Sequence, residues 1–397
     1  MKIAIAHFWL LFWRGAEKVI EQIVELYPDC EIYTLFHDAG VSTKHLPGLP
    51  VHSSILDRMP LARKNYTRLF PLYPLGVQSL TLPDGKFDLV ISSEDGPIKG
   101  MNIPEGTPHI CYCHSPMRYV WGMTDVYARF VPLLLRPIFR LFIAMLRAWD
   151  RTTIDAPDVY IANSRYVANR IIKYYCKDPV VIYPPVDVAH FSSFLERRKA
   201  SEKRYYVWFG ALITYKRPDL AVDAFNLSGK ELLMIGDGDL APSLKKRAAA
   251  NIRFTGFVPD EELPACLFGA RALIFPGEED FGIIPVEVMA MGIPVIAYGA
   301  GGAVETVPYN ENDIQSSSGI HFYEQSPDAL NEAIEKFEDV ENQFDPNLIS
   351  HRTRKFAPEV FREKLQEVVN RVVENRNARM SGPGPVPVAS ADSSLPR

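Results

Sequence analysis

Short apolar runs, each followed by a helical pattern, recur along this chain in both halves, and that rhythm restricts the fold more than anything else. In the first half the runs are 3–6, 31–35, 89–92, 109–113, 159–162 and 180–182. In the second they are 205–209, 231–235, 252–255, 272–275 and 294–297, with helical patterns between them at 218–225, 260–269 and 326–337. Strands that are apolar throughout need cover on both faces, and helices that return between parallel strands supply it. The prediction is an α/β protein of two doubly wound, Rossmann-like domains facing a cleft, spanning 1–190 and 204–357. The polar stretch 192–203, just after the Pro184-Pro185 turn, is the expected boundary. A final helix is expected over 358–374. The remainder, 375–397, is rich in Pro, Gly and Ser and is expected to be disordered.

With 397 residues, 47% of them hydrophobic, the chain can bury two cores. A formal net charge of -5 argues against a general nucleic-acid binder. The opening Met1-Lys-Ile-Ala-Ile-Ala-His reads as a buried strand and not as a secretory leader. Together with an odd count of five Cys, this gives a cytoplasmic protein with reduced thiols as the expectation. Cys111-Tyr-Cys113-His114 has the residue types of a metal site. Strand alternation puts the two Cys on one face and His114 on the other, and no second cluster completes four ligands, so no metal is expected.

In doubly wound sheets ligands bind beyond the carboxyl ends of the strands, and the chemistry-bearing motifs of this chain gather there. The run 272–275 ends in a carboxylate-rich turn, Pro276-Gly-Glu-Glu279-Asp-Phe281-Gly282. A helix is expected to follow near Ile284, with Pro285 in its first turn. The first N–H groups of a helix have no partner inside it, so this junction can hold an anion. Acids on both sides, Glu279 before and Glu287 after, would repel a bare phosphate. They suit a diphosphate that carries a sugar at one end and a ribose at the other, which is a nucleotide-sugar.

The pattern Glu279-x7-Glu287, with Phe281-Gly282 after the first Glu and Ala290-Met-Gly-Ile-Pro-Val after the second, resembles retaining GT-B glycosyltransferases with the E-x7-E motif. The likeness is closest to the family 4-like bacterial polysaccharide mannosyltransferase branch. It implies that Glu279 orients the donor sugar, that Glu287 holds its ribose and that the final helix over 358–374 crosses back to the first domain. It brings Phe281, Gly282 and Ile283 to the donor and places the backbone around Val258 on the base. Lys216 matches the diphosphate Lys of the family's Gly-Arg-Leu turn, but Ala211 stands where that turn has Arg. Arg217 or Arg14 is the expected substitute for the missing charge. The segment Arg14-Gly15-Ala-Glu-Lys-Val is similar to the family's phosphate-side glycine loop, with Arg14 at its first Gly. Tyr112-Cys-His114-Ser-Pro-Met-Arg118-Tyr is similar to a segment of the mannosyltransferase branch. It implies a cleft role for His114, on the donor sugar or the acceptor. Arg118 is read as binding an acceptor phosphate, or else as forming a surface ion pair. Asn163 or Ser164 is expected to cap the next helix.

Residues 127–151 are amphipathic, with Arg129, Arg136, Arg140, Arg147 and Arg151 on one helical stripe. The apolar run is too short and too interrupted by Arg to span a bilayer. The expectation is an interfacial helix whose Arg136, Arg140 and Arg147 meet anionic lipid, or a helix packed on the first domain. A peripheral place on the inner face of the cytoplasmic membrane would suit a lipid-linked acceptor.

The resulting expectation is transfer of a hexose, GDP-mannose being the favoured donor, to a lipid-linked or saccharide acceptor in surface-polysaccharide assembly, with retention and without a metal or other cofactor. A nucleoside diphosphate departs readily and needs charge stabilisation more than a proton, which separates this pair of acids from a glycosidase pair. The alternatives are a nucleotide-sugar epimerase or hydrolase of the same fold, and a non-catalytic donor-binding partner of another transferase.

Overall fold

A computed structural model describes residues 1–129, 131–199 and 202–380. Of the tail expected to be disordered from 375, residues 375–380 instead continue the last helix, and 381–397 lie outside the described residues. The first sheet has seven parallel strands: β1 (Ile3–His7), β2 (Glu31–Thr34), β3 (Val51–Ser53), β4 (Leu89–Glu94), β5 (His109–Cys113), β6 (Val159–Ala162) and β7 (Val180–Val181), in the order β3-β2-β1-β4-β5-β6-β7. The second has six: β8 (Tyr205–Phe209), β9 (Leu232–Ile235), β10 (Ile252–Gly256), β11 (Ala270–Phe275), β12 (Val295–Tyr298) and β13 (Gly319–Phe322), in the order β10-β9-β8-β11-β12-β13. In both sheets the order reverses beside the first strand, and such switch points open the crevice where doubly wound folds bind ligands.

Most of the strands that the sequence announced are covered on both faces, the exceptions being the edge strands β7 and β10. Every residue of β1, β4 and β5 is buried. Two strands fall outside the expected set, β3 and β13. Both lie at sheet edges, and both mix apolar residues with His, Ser or Gly, so neither reads as an unbroken apolar run. The helix expected over 260–269 is confined to Leu263–Leu267, because residues 259–262 form a turn in which Glu262 N–H donates to the Pro259 carbonyl (3.0 Å).

The chain leaves the first domain earlier than the stretch 192–203. Val186, Val188 and Phe191 already belong to the core of the second domain. The paired prolines at 184 and 185 carry the backbone across in extended form, and the helix Val188–Ser192 then packs on the helix Ile283–Ala290. At the other end, the helix Pro358–Met380 returns to the first sheet. Its Phe361, Leu365, Val368, Val369 and Val372 fill the same core as Ile3, Val19 and Ile23, and Arg362 pairs with Glu25 (2.8 Å).

One fully buried charge network braces the first domain below its cleft. Lys99 donates to Glu94 at the end of β4 (3.0 Å) and to Asp150 on the helix Arg136–Thr152, while Trp121 Nε1 donates to the same Asp150 (2.7 Å). All three charged side chains are shielded from water. Burial opposes the charge on Lys99, but Asp150 and Glu94 outweigh it and hold the ammonium above its usual range. Removing one member of such a network strands the others without solvent. Lys99→Met should therefore cost about 3–5 kcal/mol of stability; a denaturation midpoint unchanged from the parent would refute this.

Candidate active site between the two sheets

The carboxylate turn after β11 folds as a tight entry into the helix Ile283–Ala290. Gly282 caps that helix at φ +87°, a left-handed conformation in which an L side chain costs roughly 1–2 kcal/mol. The helix begins one residue ahead of Ile284, with Pro285 in its first turn. Glu279 precedes the cap and accepts a hydrogen bond from Lys216 Nζ (2.6 Å), which projects from the turn Thr214–Lys216 after β8. Burial tends to discharge Lys216, but the facing Glu279 outweighs it and keeps the ammonium above its usual range.

Glu287 lies one turn into the same helix and is buried. Its Oε1 accepts from Lys18 Nζ (3.3 Å), a residue of the helix Gly15–Leu26 in the first domain. Burial pushes the Glu287 carboxyl up despite Lys18, and Asp260 and Asp187 add to the negative field there. The two helix starts meet directly: a Cβ placed on Gly15 would lie 2.6 Å from Ile283 Cδ1. Two sets of unpaired helical N–H groups, one from each domain, therefore border the same space, with Lys216 and Lys18 on its flanks. Arg14 caps the first of these helices at φ −139° and ψ −158°, and its N–H donates to Glu17 Oε2 (2.7 Å). That backbone is extended, so the position needs no glycine. The Arg14 guanidinium rests over the Phe12 ring at 4.7 Å.

Asp280, the residue between Glu279 and Phe281, is the hub of the contact between domains. Its carboxylate accepts from Arg118 Nε (2.8 Å) and Arg170 Nη1 (2.9 Å), and its backbone carbonyl accepts from Ser164 Oγ (2.6 Å). Nearby, Tyr166 O–H donates to Glu278 (2.8 Å) and Glu305 accepts from the Arg165 N–H (3.1 Å). Arg118 thus forms an ion pair across the cleft and lies 5.2 Å over the Tyr215 ring, beside Lys216; of its two readings, the ion pair is the observed one, and it joins the domains. Ser164 also caps the helix Arg165–Tyr175, and Asn163 Nδ2 donates to the His114 carbonyl (3.0 Å).

His114 stands just past β5, its Nε2 against Ser93 Oγ at 2.9 Å. Burial, with His7 nearby, lowers its pKa to about 3, so the imidazole is neutral over the whole working range. The Phe281 side chain turns away from the helix start and packs on Tyr183 and Phe356, leaving only its backbone beside the junction. Arg217 is held by Asp219 (3.1 Å) and Gln325 (3.1 Å). Val258 follows β10 in a turn whose Asp260 reaches the field of Lys18 and Glu287.

The Arg stripe of residues 127–151 is arranged differently from the membrane-facing expectation. Arg147 Nε donates inward to the Val120 carbonyl (3.2 Å) and its guanidinium covers Trp121 at 5.3 Å; Arg136 donates to the Val131 carbonyl (3.2 Å). Arg140 is exposed. The outward face is apolar instead, with Leu134 90%, Leu141 61%, Met145 59% and Ile138 52% exposed. Among the described residues no helix is long and apolar enough to cross a membrane, and no group of three or more His, Cys, Asp or Glu is placed to hold a metal ion. A cavity of about 740 Å³ lies at the opposite ends of β5 and β6, lined by Pro108, Val159 and Val372. It is remote from the carboxyl ends of the strands, and chemistry, not volume, locates the site in the cleft.

Two families match consecutive parts of the chain: Glycosyltransferase Family 4 over residues 14–190 and Glycosyl transferases group 1 over residues 193–355. The sucrose-phosphate synthase of Thermosynechococcus elongatus superposes with a TM-score of 0.68 at 14% identity, over 94% of this chain and 100% of that one. HepE of Anabaena, solved in complex with UDP, gives 0.66 at 16% identity over 93% and 100%. The chain has the GT-B glycosyltransferase fold. Its relatives include mannosyltransferases. The GDP-mannose-dependent alpha-(1-6)-phosphatidylinositol monomannoside mannosyltransferase of Mycobacterium tuberculosis is 30% identical over 187 residues, 40% of this chain and 49% of that protein, so the match spans about half of that relative's length. The alpha-1,3/1,6-mannosyltransferase ALG2 of Homo sapiens is 25% identical over 343 residues, 75% and 77% of the two chains.

Asp280, Arg170, Lys18 and Ser93 were not singled out by sequence. Asp280 and Lys18 stand inside motifs that were, and the pairing of each needs a partner from the other domain. Replacing Asp280 by Ala should leave two guanidinium groups facing each other and open the contact at a cost of about 3 kcal/mol. Faster hydrogen exchange in residues 115–122 and 276–283 should report that opening; protection equal to the parent's would show that Asp280 does not hold the domains.

Proposed function

We propose that this chain is a retaining glycosyltransferase that moves a hexose, mannose favoured, from a GDP-sugar to a lipid-linked or saccharide acceptor in surface-polysaccharide assembly. The observation that carries the reading is the abutment of two helix starts, at Gly15 and Ile283, between the pairs Glu279–Lys216 and Glu287–Lys18. A sugar diphosphate suits that space end to end. Its phosphates would take the helical N–H groups, and Lys216 would turn from Glu279 to phosphate. Glu279, thereby freed, can accept sugar hydroxyls at one end, and Glu287, beside Lys18, can accept ribose hydroxyls at the other.

As the bond from the anomeric carbon to the diphosphate oxygen breaks, charge gathers on the phosphate, where Lys216 and the helix dipoles stabilise it. The acceptor oxygen bonds to the same carbon from the same face, and its proton passes to the departing phosphate. Neutral His114 can hydrogen-bond a sugar hydroxyl but adds no charge. The positive groups of the protein take the part that a metal ion plays elsewhere, so transfer is proposed to be metal-independent. The outward apolar stripe of Leu134, Ile138, Leu141 and Met145, with Arg140 beside it, is proposed to rest on an anionic membrane surface, which would bring a lipid-linked acceptor to the cleft.

Thermal shift against a panel of nucleotide-sugars, followed by mass analysis of products from GDP-mannose with and without octyl α-mannoside, tests the assignment. A mannosylated glycoside is expected. Free mannose alone or an epimerised donor would give the epimerase or hydrolase reading, and binding without turnover the non-catalytic one. Loss of a charge-assisted hydrogen bond removes about 1.5–3 kcal/mol, so Glu279→Gln should lower transfer about tenfold to a hundredfold with little change in stability. EDTA should leave activity intact; activity abolished by EDTA and restored by Mn²⁺ would contradict metal independence. Leu134→Glu together with Leu141→Glu should abolish flotation with anionic liposomes, whereas unchanged flotation would sink the membrane assignment.

A further inference from the structure

Most of the described carboxylates around the cleft are committed to protein partners; Asp260, on the turn after β10, and Asp95, at the centre of the first sheet, are not. Glu279 and Glu287 face lysines, Asp280 faces Arg118 and Arg170, Glu94 faces Lys99, and Glu17 lies 3.3 Å from His7 Nε2. Asp95 has no ion pair or hydrogen bond to its side chain among the described residues, and that side chain is open to solvent. It is the first residue past β4, the strand between β1 and β5 at the centre of the first sheet. Glu94 pairs in register with Cys113, so Asp95 stands level with His114 on the cleft side of the sheet. Its neighbour Glu94 turns inward to the buried Lys99, and alternation along the backbone sends Asp95 the other way. The next residue, Gly96, lies flat on the Phe8 ring, where an added Cβ would meet Phe8 Cε1 at 2.6 Å, so the turn that presents Asp95 is fixed.

We propose that Asp95 is an acceptor-side binding residue, its carboxylate taking hydrogen bonds from hydroxyl groups of a neutral sugar on the acceptor; this rests on the glycosyltransferase reading above. A bare carboxylate accepts and cannot donate, which suits hydroxyls. It repels a phosphate, so any phosphate on the acceptor must lie farther out. The cation nearest in charge, Arg118, is already taken by Asp280. Rings of Tyr119 and Tyr127 share its surroundings, and the combination of a fixed polar group with aromatic faces is that of a small-molecule site. The charged and titratable groups that face Asp95 are Arg118, Asp280, Glu17 and His7, with Tyr119 and Tyr127 beside them. Although solvent reaches it, the protein crowded around the Asp95 carboxyl thins its hydration, and this, with Asp280 and Glu17, outweighs the pull of Arg118 and raises it to about 6.

The test uses the full chain with GDP-mannose as donor and octyl α-mannoside as acceptor probe, comparing Asp95→Asn, Asp95→Ser and Asp95→Glu with the parent. Asp95→Asn and Asp95→Ser should raise the KM for octyl α-mannoside by about tenfold or more. The KM for GDP-mannose and its slow hydrolysis without acceptor should stay within about twofold, because the donor contacts are untouched. Asp95→Glu should recover part of the acceptor affinity. In the parent, acceptor kcat/KM should fall as pH drops through about 6, and Asp95→Asn should lose that limb. An unchanged acceptor KM, or equal losses in transfer and donor hydrolysis, would overturn the proposal. No transfer by the parent enzyme would overturn the functional reading and this proposal with it, and that arm is read before any variant.

Discussion

Asp280 sets the geometry on which the cleft depends. Each domain brings a helix N-terminus and several like charges to the same small volume, an arrangement that would otherwise push the halves apart. One carboxylate shared by Arg118 and Arg170, with its carbonyl fastened by Ser164, offsets that repulsion and fixes the distance between the two helix starts. The position is adjacent in sequence to Glu279. The contact between the domains and the placement of Glu279 are therefore both carried by a single turn after β11.

The pairing of acid with lysine on either side of that turn explains how a protein keeps buried carboxylates ready for a charged ligand. Glu279 and Glu287 are each held by an ammonium, so neither sits in low dielectric alone. A ligand that supplies phosphate to the lysines and hydroxyls to the acids exchanges partners without stranding a charge. Exchange of this kind favours a molecule that carries both groups at the right separation, and gives little advantage to phosphate or sugar alone.

The layers and most strands were legible because parallel strands buried on both faces leave unbroken apolar runs in the sequence. The edge strands β3 and β13 were not, since an edge tolerates His, Ser and Gly. Within the site, Glu279 and Gly282 declared themselves through local rules, a strand end and a helix start, and Lys216 through the resemblance of its turn. Arg118 and Asp280 did not, because an ion pair separated by 162 positions has no local signature. The orientation of the Arg-rich helix was equally hidden. Arg147 found a carbonyl and a Trp ring inside the domain while Arg140 stayed exposed, and only packing reveals which residues of an amphipathic helix face out.

The return of the last helix to the first sheet has a consequence for biogenesis. Since Phe361, Leu365 and Val369 complete a core that includes Ile3, the first domain stays unfinished until the whole second domain and residues 361–372 have left the ribosome. The intervening half needs nothing from either end for its own centre and can settle first. An exposed, waiting sheet is vulnerable to aggregation during synthesis, so shortening the protein from its carboxyl terminus would damage the domain farthest from the cut.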